Sequence, residues 1–184
     1  MDNGVSSYRR FLKGDEEGFV EIVRDYKDGL ILYLNSFVKN ISAAEELTED
    51  TFVKLGIKKP YFKSNSSFKT WLYAIGRNIA LDYIKKHSKE NTVNFDECSQ
   101  IIGDELSETS FFDKERKITI HRAMALLKTE YRQVLWLFYF EELSVKEISQ
   151  IMKKSPHAIE TLTYRAKQSL KSELTKEGYT YEDL

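Results

Sequence analysis

This chain is poor in the residues that usually build reactive sites. A single cysteine, Cys98, among 184 residues excludes an internal disulfide and suits a reducing compartment. The three histidines, His87, His121 and His157, are scattered, so no zinc-ligand spacing exists. There is no phosphate-binding glycine-rich loop and no nucleophile elbow. These absences predict a protein without catalytic residues, metal or cofactor. Two prolines and eight glycines leave long stretches free to be helical. No segment approaches the roughly 20 apolar residues of a membrane span. Val134–Phe140 is the most apolar run and is far too short, so no membrane insertion is expected. The opening Met1-Asp-Asn-Gly is polar with no apolar run behind it, which predicts no signal peptide and a cytoplasmic protein.

The hydrophobic share of 41% is enough for a core, and the net charge is only −1. Near-neutrality argues at first against a nucleic-acid binder, but the charge is unevenly spread. Residues 1–89 hold 15 Lys/Arg against 12 Asp/Glu, and residues 114–184 hold 13 against 10. Residues 90–113 hold no Lys/Arg and 7 Asp/Glu. Two mildly basic blocks therefore flank an acidic connector.

The stretch 144–170 has the form of a short helix, a tight turn and a longer helix. Ser144 can cap the first helix, with Glu147 completing a capping box. Val145, Ile148, Ile151 and Met152 share one face. Lys153-Lys154 break the pattern, Ser155 can cap the second helix, and Pro156 fits its first position. Ile159, Leu162, Ala166 and Leu170 form the inner stripe of that helix. His157, Thr161, Tyr164 and Gln168 face the other way, with Glu160, Arg165 and Lys171 beside them. Such a polar, partly basic outer face suits a DNA major groove. An ordinary helical hairpin with a solvated face fits the same residues.

Upstream, the spacing predicts helices over Tyr8–Lys13 and from Glu16 to about Lys39. Ser42, with Glu45, is the expected cap of a helix running to Leu55. Its inner stripe is Leu47, Thr51, Phe52 and Leu55, and its outer face carries Glu45, Glu46, Glu49 and Asp50. Residues 56–67 read as a loop or a short helix and loop. A helix over Phe68–Lys86 follows, with Phe68, Leu72, Ile75, Ile79 and Tyr83 inside. Aromatic and basic residues beside a polar loop suit single-stranded nucleic acid, although most of these aromatics are expected in the core. Residues 90–113 lack periodicity and read as an interdomain linker. Helix returns over Ile118–Leu127, and Thr129 is the expected cap of Glu130–Phe140. The expected fold is all-α: two small helical domains joined by a flexible acidic linker.

Two stretches resemble one family. Ala44-Glu-Glu-Leu-Thr-Glu-Asp-Thr-Phe52 and Phe68-Lys-Thr-Trp-Leu-Tyr-Ala-Ile-Gly-Arg-Asn-Ile-Ala-Leu-Asp82 resemble region 2 of the extracytoplasmic-function (ECF) sigma factors. The typical family texts are "A-E-D-L-x-Q-E-T-F" and "F-x-T-W-L-Y-x-I-x-R-N-x-A-L-D". Tyr131–Leu170 resembles region 4, with its "R-x-V-L-x-L-x-Y-x-E-x-L-S-x-x-E-I" opening and "Y-R-A-K-x-x-L" close. The resemblance implies region 2 over 1–89, a linker over 90–113 and region 4 over 114–184.

It also implies partners: core RNA polymerase, through its β′ clamp helices and β flap, promoter DNA, and an anti-sigma factor. Glu46, Leu47, Glu49, Asp50 and Phe52 match the helix that docks on the clamp helices. Lys63, Ser64, Asn65, Ser66 and Ser67 fall in the loop that captures a flipped base of the −10 element. Trp71, Arg77, Asn78, Lys85 and Lys86 lie on the DNA-facing helix. His157, Glu160, Thr161, Tyr164 and Arg165 match positions facing the −35 element, with Lys167 and Lys171 placed for phosphates. The chain departs from the family where Glu160 and Leu162 replace basic residues, Lys153-Lys154 replaces a turn glycine, and Glu49 replaces glutamine. The acidic linker is expected in the RNA exit path of polymerase. Two rivals share these features. One is a helix-turn-helix regulator that binds duplex DNA without polymerase, the other a helical decoy that binds polymerase but no DNA.

Overall fold

A computed structural model describes residues 3–87, 111–176 and 178. Among these residues every regular element is helical, as the all-α expectation requires. Helices α1 (Asn3–Leu12), α2 (Glu17–Val38), α3 (Ile41–Lys58) and α4 (Phe68–His87) form an N-terminal unit. Helices α5 (Phe111–Leu126), α6 (Thr129–Leu135), α7 (Val145–Met152) and α8 (Pro156–Lys176) form a C-terminal unit, and a π-helical turn, Trp136–Phe140, extends α6. The expected linker, up to residue 110, and Cys98 lie outside the described residues.

The long α2 is the pillar of the N-terminal unit and packs against α1, α3 and α4. Ile22, Leu30, Leu34 and Phe37 are buried along it, as the spacing predicts. Tyr33 is fully buried as well, stacked on Tyr73 at 5.3 Å. Across α1 and α2, Ser7 Oγ donates to Glu21 Oε2 at 2.6 Å, and Arg10 Nη1 donates to both Glu21 oxygens. These two partners, Ser7 first, hold the Glu21 carboxyl below its usual range.

Several sequence expectations need correction. Asn40, not Ser42, caps α3: its side chain accepts from the Ala43 N–H at 2.9 Å. Ser42 is exposed inside the helix. The helix also runs through Gly56 to Lys58 and closes on left-handed Lys59. Thr129 does not cap α6, whose flanking residue is Lys128. The helix expected from Ile118 begins at Phe111. In α4 the buried residues are Phe68, Thr70, Leu72, Tyr73, Gly76 and Ala80, while Ile75, Ile79 and Tyr83 are only half-buried. The cause is that α4 has neighbours on several sides, α1, α2 and α3 in its own unit and α7 of the other, so a one-stripe pattern underestimates it.

The two units are packed together. α4 lies against α7, α2 reaches α6 and the π-helical turn, and one apolar cluster runs through both units. Arg132 of α6 is a joint in this packing. Its Nε donates to Ser36 O of α2 at 3.0 Å, and its Nη1 to Leu127 O at 2.5 Å behind α5. Arg132→Ala leaves those buried carbonyls unpaired and should lower unfolding free energy by about 3 kcal/mol. Urea denaturation monitored by circular dichroism measures it, and a loss under about 1 kcal/mol refutes the joint.

Candidate functional site

Four surfaces carry the residues singled out by sequence. The first is the outer face of α3. Glu45, Glu46, Glu49 and Asp50 are exposed, and the turns that follow expose Val53 and Ile57, the latter 74% accessible. Sequence reasoning missed these two apolar groups, although Val53 follows Asp50 and Glu49 by three and four residues and Ile57 follows Val53 by four, which places both on that face. Leu47 and Phe52, matched above to the docking helix, are buried in the core. They hold α3 against the core beneath that face.

The second surface is the 59–67 loop with the start of α4. Lys63, Ser64 and Asn65 are exposed, and Ser66 and Ser67 half-buried. Ser64 holds φ 55°, a left-handed conformation that costs a non-glycine residue about 1 kcal/mol. Tyr61, also missed, is 82% accessible. Trp71 is half-buried in an aromatic cluster with Tyr8, Phe62 and Phe68, with ring centroids 5.1–5.6 Å away. Tyr8 anchors this cluster, donating to Pro60 O at 2.8 Å, and burial pushes its hydroxyl pKa to about 12. Further along α4, Arg77 is half-buried and its Nε has no hydrogen-bond partner among the described residues. Lys85 and Lys86 are exposed at the helix C-terminus, where the macrodipole favours cations.

The third surface is the outer face of α8. The helix-turn-helix forms as predicted: Ser144 Oγ accepts from Glu147 N, and Glu147 Oε2 accepts from Ser144 N at 3.0 Å. Lys153 takes the turn position with φ 54°, and Ser155 Oγ accepts from Ala158 N at 3.2 Å. His157, Glu160, Tyr164 and Arg165 are exposed, and Thr161 is half-buried with its hydroxyl donating to His157 O. His157 Nδ1 lies 3.8 Å from Glu160 Oε2. Lys167 bends back over Phe138 and Tyr139, 4.7 and 5.1 Å from their ring centres. Lys171 is exposed at the far end of the helix.

The fourth surface lies between the units, and no sequence pattern announced it. Glu141, just past the π-helical turn, inserts its carboxylate between α2 and α4. Lys69 Nζ pairs with Glu141 Oε2 at 2.6 Å and also donates to Glu141 O at 3.1 Å. Trp136 Nε1 donates to Glu141 Oε1 at 3.2 Å, and the Tyr73 hydroxyl bonds the same carboxylate. Burial first, then the negative Glu141, drives the Tyr73 pKa upward and keeps the hydroxyl protonated. Gly29 of α2 faces this cluster: a Cβ there would sit 2.6 Å from Tyr73 Oη and 2.9 Å from Glu141 Oε1.

Glu147 makes the second link. Its Oε2 completes the α7 capping box, and its Oε1 accepts from Ser67 Oγ at 3.0 Å and Thr70 Oγ1 at 3.2 Å. Lys153 Nζ donates to Asn78 Oδ1 at 3.0 Å in a third link.

The comparisons with known proteins decide the family. Residues 22–90 match the family model described as sigma-70 region 2, and residues 117–170 the model described as sigma-70 region 4. The chain is 30% identical over 171 residues to the ECF RNA polymerase sigma factor SigW of Bacillus subtilis, covering 88% of this chain and 91% of that one. It is 32% identical over 152 residues to the ECF sigma factor SigM of the same organism, covering 83% and 92%. The chain belongs to the ECF RNA polymerase sigma factors. The fold of this sigma factor is also that of solved relatives. The sigma factor RpoE in complex with the anti-sigma factor NepR, from Bartonella quintana, aligns with TM-score 0.70 at 20% identity, over 85% of this chain and 96% of that one. CnrH in complex with the cytosolic domain of CnrY aligns with TM-score 0.64 at 19% identity, over 95% and 96%. In this sigma factor the region 2 match takes in α2, α3 and α4, and the region 4 match takes in α6 and α7 whole.

A pH dependence follows from Glu147. Burial pushes its carboxyl pKa up, but the bonds from Ser144, Ser67 and Thr70 outweigh this and leave it below the ordinary value. A depressed carboxyl pKa stabilises the folded state above its unfolded-state value and loses that contribution as pH falls through the folded value. Wild type should therefore exceed Glu147→Gln in stability by a constant amount at neutral pH. The gap should shrink once pH falls below about 4.3, the unfolded glutamate value. Urea midpoints across pH 3–7 measure it, and a gap that widens with acid contradicts the sign.

Proposed function

We propose that this ECF sigma factor binds core RNA polymerase and directs promoter-specific initiation through −35 and −10 DNA. The observation that carries this is the pair of family matches, region 2 then region 4, over most of one chain without catalytic residues. The corresponding division is region 2 over 1–89, a linker over 90–113 and region 4 over 114–184. The protein works where polymerase works, in the cytoplasm, and no described helix is long and apolar enough to cross a membrane.

Each surface has a role that its chemistry supports. The acidic face of α3, Glu46, Glu49 and Asp50, docks on the basic β′ clamp helices. Val53 and Ile57 supply apolar contact there, and the charges steer the encounter. The loop with Lys63–Ser67 captures a base flipped from the non-template −10 strand. Small hydroxyl and amide groups read its edge, and the exposed Tyr61 ring is a stacking platform beside them. Left-handed Ser64 is the kind of strain that functional loops retain. Arg77, Asn78, Lys85 and Lys86 follow the melted strand along α4. In region 4, α8 enters the −35 major groove with His157, Glu160, Thr161, Tyr164 and Arg165. Glu160 accepts from a cytosine N4 amine, while Lys167 and Lys171 meet phosphates. The region 4 unit also contacts the β flap. An anti-sigma factor is a further partner, as NepR is for RpoE in the solved complex.

Run-off transcription with purified core enzyme and a randomised promoter library tests the function. Promoter-dependent transcripts are expected only when the chain is added, and their absence from every promoter rejects it. Glu49→Arg with Asp50→Arg should weaken core binding at least about 100-fold by reversing two rim charges. Fluorescence anisotropy reads this, and unchanged affinity shows that another face docks. A duplex-only regulator would instead bind operator DNA tightly without core, and a decoy would capture core without yielding transcripts.

A further inference from the structure

The 59–67 loop presents the groups assigned above to −10 DNA, yet its own backbone does little to hold it. Among the described residues, no backbone–backbone hydrogen bond involves residues 60–66. A loop without such bonds keeps one shape only where side chains pin it. Its downstream end is pinned locally: Ser67 Oγ accepts from Thr70 N at 3.2 Å at the start of α4. Its upstream end is pinned from far along the chain, by α1.

Two contacts from α1 reach the loop directly, and a third runs through shared rings. Tyr8 Oη donates to Pro60 O at 2.8 Å, across 52 residues of sequence. The Lys59 ammonium sits over the Phe11 ring, 4.7 Å from its centre. Phe62 packs on Trp71 at 5.1 Å and on Phe68 at 6.0 Å, and Tyr8 packs on the same two rings at 5.4 and 5.5 Å. With Pro60 and Phe62 drawn inward, Tyr61, Lys63, Ser64 and Asn65 are left exposed. The helix that does this is itself closely seated. A Cβ at Gly4 would fall 2.4 Å from the Phe68 ring, and one at Gly18 of α2 would fall 2.3 Å from Ser7 O. Ser7 and Arg10 also bind Glu21 of α2. All of α1 lies ahead of residues 22–90, which match region 2.

We propose that α1 is a strut for the base-capture loop, with Tyr8 as a positioning residue: its hydroxyl, held at Pro60 O, sets where Tyr61 and the Ser64–Ser67 groups stand and so how sharply the loop tells one flipped base from another. This inference rests on the reading of the 59–67 loop as the −10 capture site. Tyr8 is 1% exposed, so it acts through the loop and does not itself meet DNA. Burial raises its pKa to about 12, which keeps the hydroxyl a donor at neutral pH. A loop that reads a base edge discriminates through hydrogen-bond length and angle, and such bonds weaken steeply when misaligned. A small shift of the backbone at Pro60 therefore costs selectivity before it costs overall DNA affinity.

The test uses the full chain assembled with core RNA polymerase and a forked promoter DNA recovered from the randomised library, its non-template −10 strand left single-stranded. Each unpaired position carries each of the four bases in turn, and fluorescence anisotropy measures the affinities. Tyr8→Phe keeps the ring and removes the donor. The control, Thr48→Val, removes a buried hydroxyl that is bonded within α3. Circular dichroism and urea unfolding establish that both variants are folded. Tyr8→Phe should lower the preference for the best base at the captured position at least about fivefold, while its affinity for −35 duplex and the preference shown by the control stay within about twofold of wild type. In the free chain, amides of residues 61–66 should exchange at least about fivefold faster in Tyr8→Phe than in wild type, with those of α6 and α8 unchanged. Wild-type preference kept by Tyr8→Phe, an equal loss in the control, or unchanged exchange overturns the strut and leaves base capture standing. Wild type that distinguishes no base at any unpaired position removes the capture reading and the strut with it.

Discussion

One carboxylate sets how the two halves of this sigma factor meet. Glu141 leaves the C-terminal unit at the π-helical turn and ends between α2 and α4, held by Lys69, Tyr73 and Trp136. A charge that is nearly buried tolerates few arrangements, because any other position leaves it unpaired at a cost of several kcal/mol. The arrangement in turn constrains its surroundings. A Cβ at position 29 would crowd Tyr73 Oη and Glu141 Oε1 as they lie, and glycine stands there in the middle of a 22-residue helix where it is otherwise unfavourable. The π-helical turn serves the same end. Its wider winding stacks Phe140 on Trp136 at 4.2 Å and aims the Trp136 Nε1 donor at the carboxylate.

Such an interaction specifies more than it stabilises. A buried ion pair is roughly neutral against an apolar pair of the same volume, because desolvation offsets the attraction. Cohesion comes instead from the apolar cluster that runs through both units. Leu30, Leu34, Leu55, Phe68 and Leu72 are fully buried in one, and Leu135, Leu137, Ile148 and Ile159 in the other. What joins them is a set of directional contacts at Glu141, Glu147, Lys153 and Arg132. Directional contacts of this kind fix a single geometry for the packing.

The elements were legible in the sequence where their signals were local. The capping box of Ser144 and Glu147, the Pro156 start of α8 and the apolar spacing of α2 all rest on neighbours within a few residues. The misplaced cap of α3 has a local cause too: Ser42 and Asn40 both lead into the helix, and the asparagine two residues earlier wins. The tilt of the α4 stripe toward Tyr73 and Gly76 was not legible, because Tyr73 meets Tyr33 and the distant Glu141, and Gly76 meets Leu30, Leu34 and Thr51. The same holds for Gly29, whose meaning lies in Tyr73 and Glu141. The candidate surfaces divide in the same way. Exposed Glu49, Asp50, His157 and Tyr164 were readable from helical phase. Leu47 and Phe52, matched to the same docking helix, lie on its buried side, because a family motif records a helix and not which side of it a partner sees.

Glu147 shows how one residue can carry a local rule and a global one. Its Oε2 obeys the capping-box rule, which predicted it from three residues away. Its Oε1 reaches Ser67 and Thr70, 80 and 77 residues distant, and nothing in the local pattern requires that. Because one oxygen suffices for the cap, the other can be released without unwinding α7. The cap of α7 and the contact with region 2 are therefore separable roles of one side chain. Lys69 and Lys153 likewise face partners within the protein, so net charge alone is a poor guide to the cationic surface that remains for phosphates.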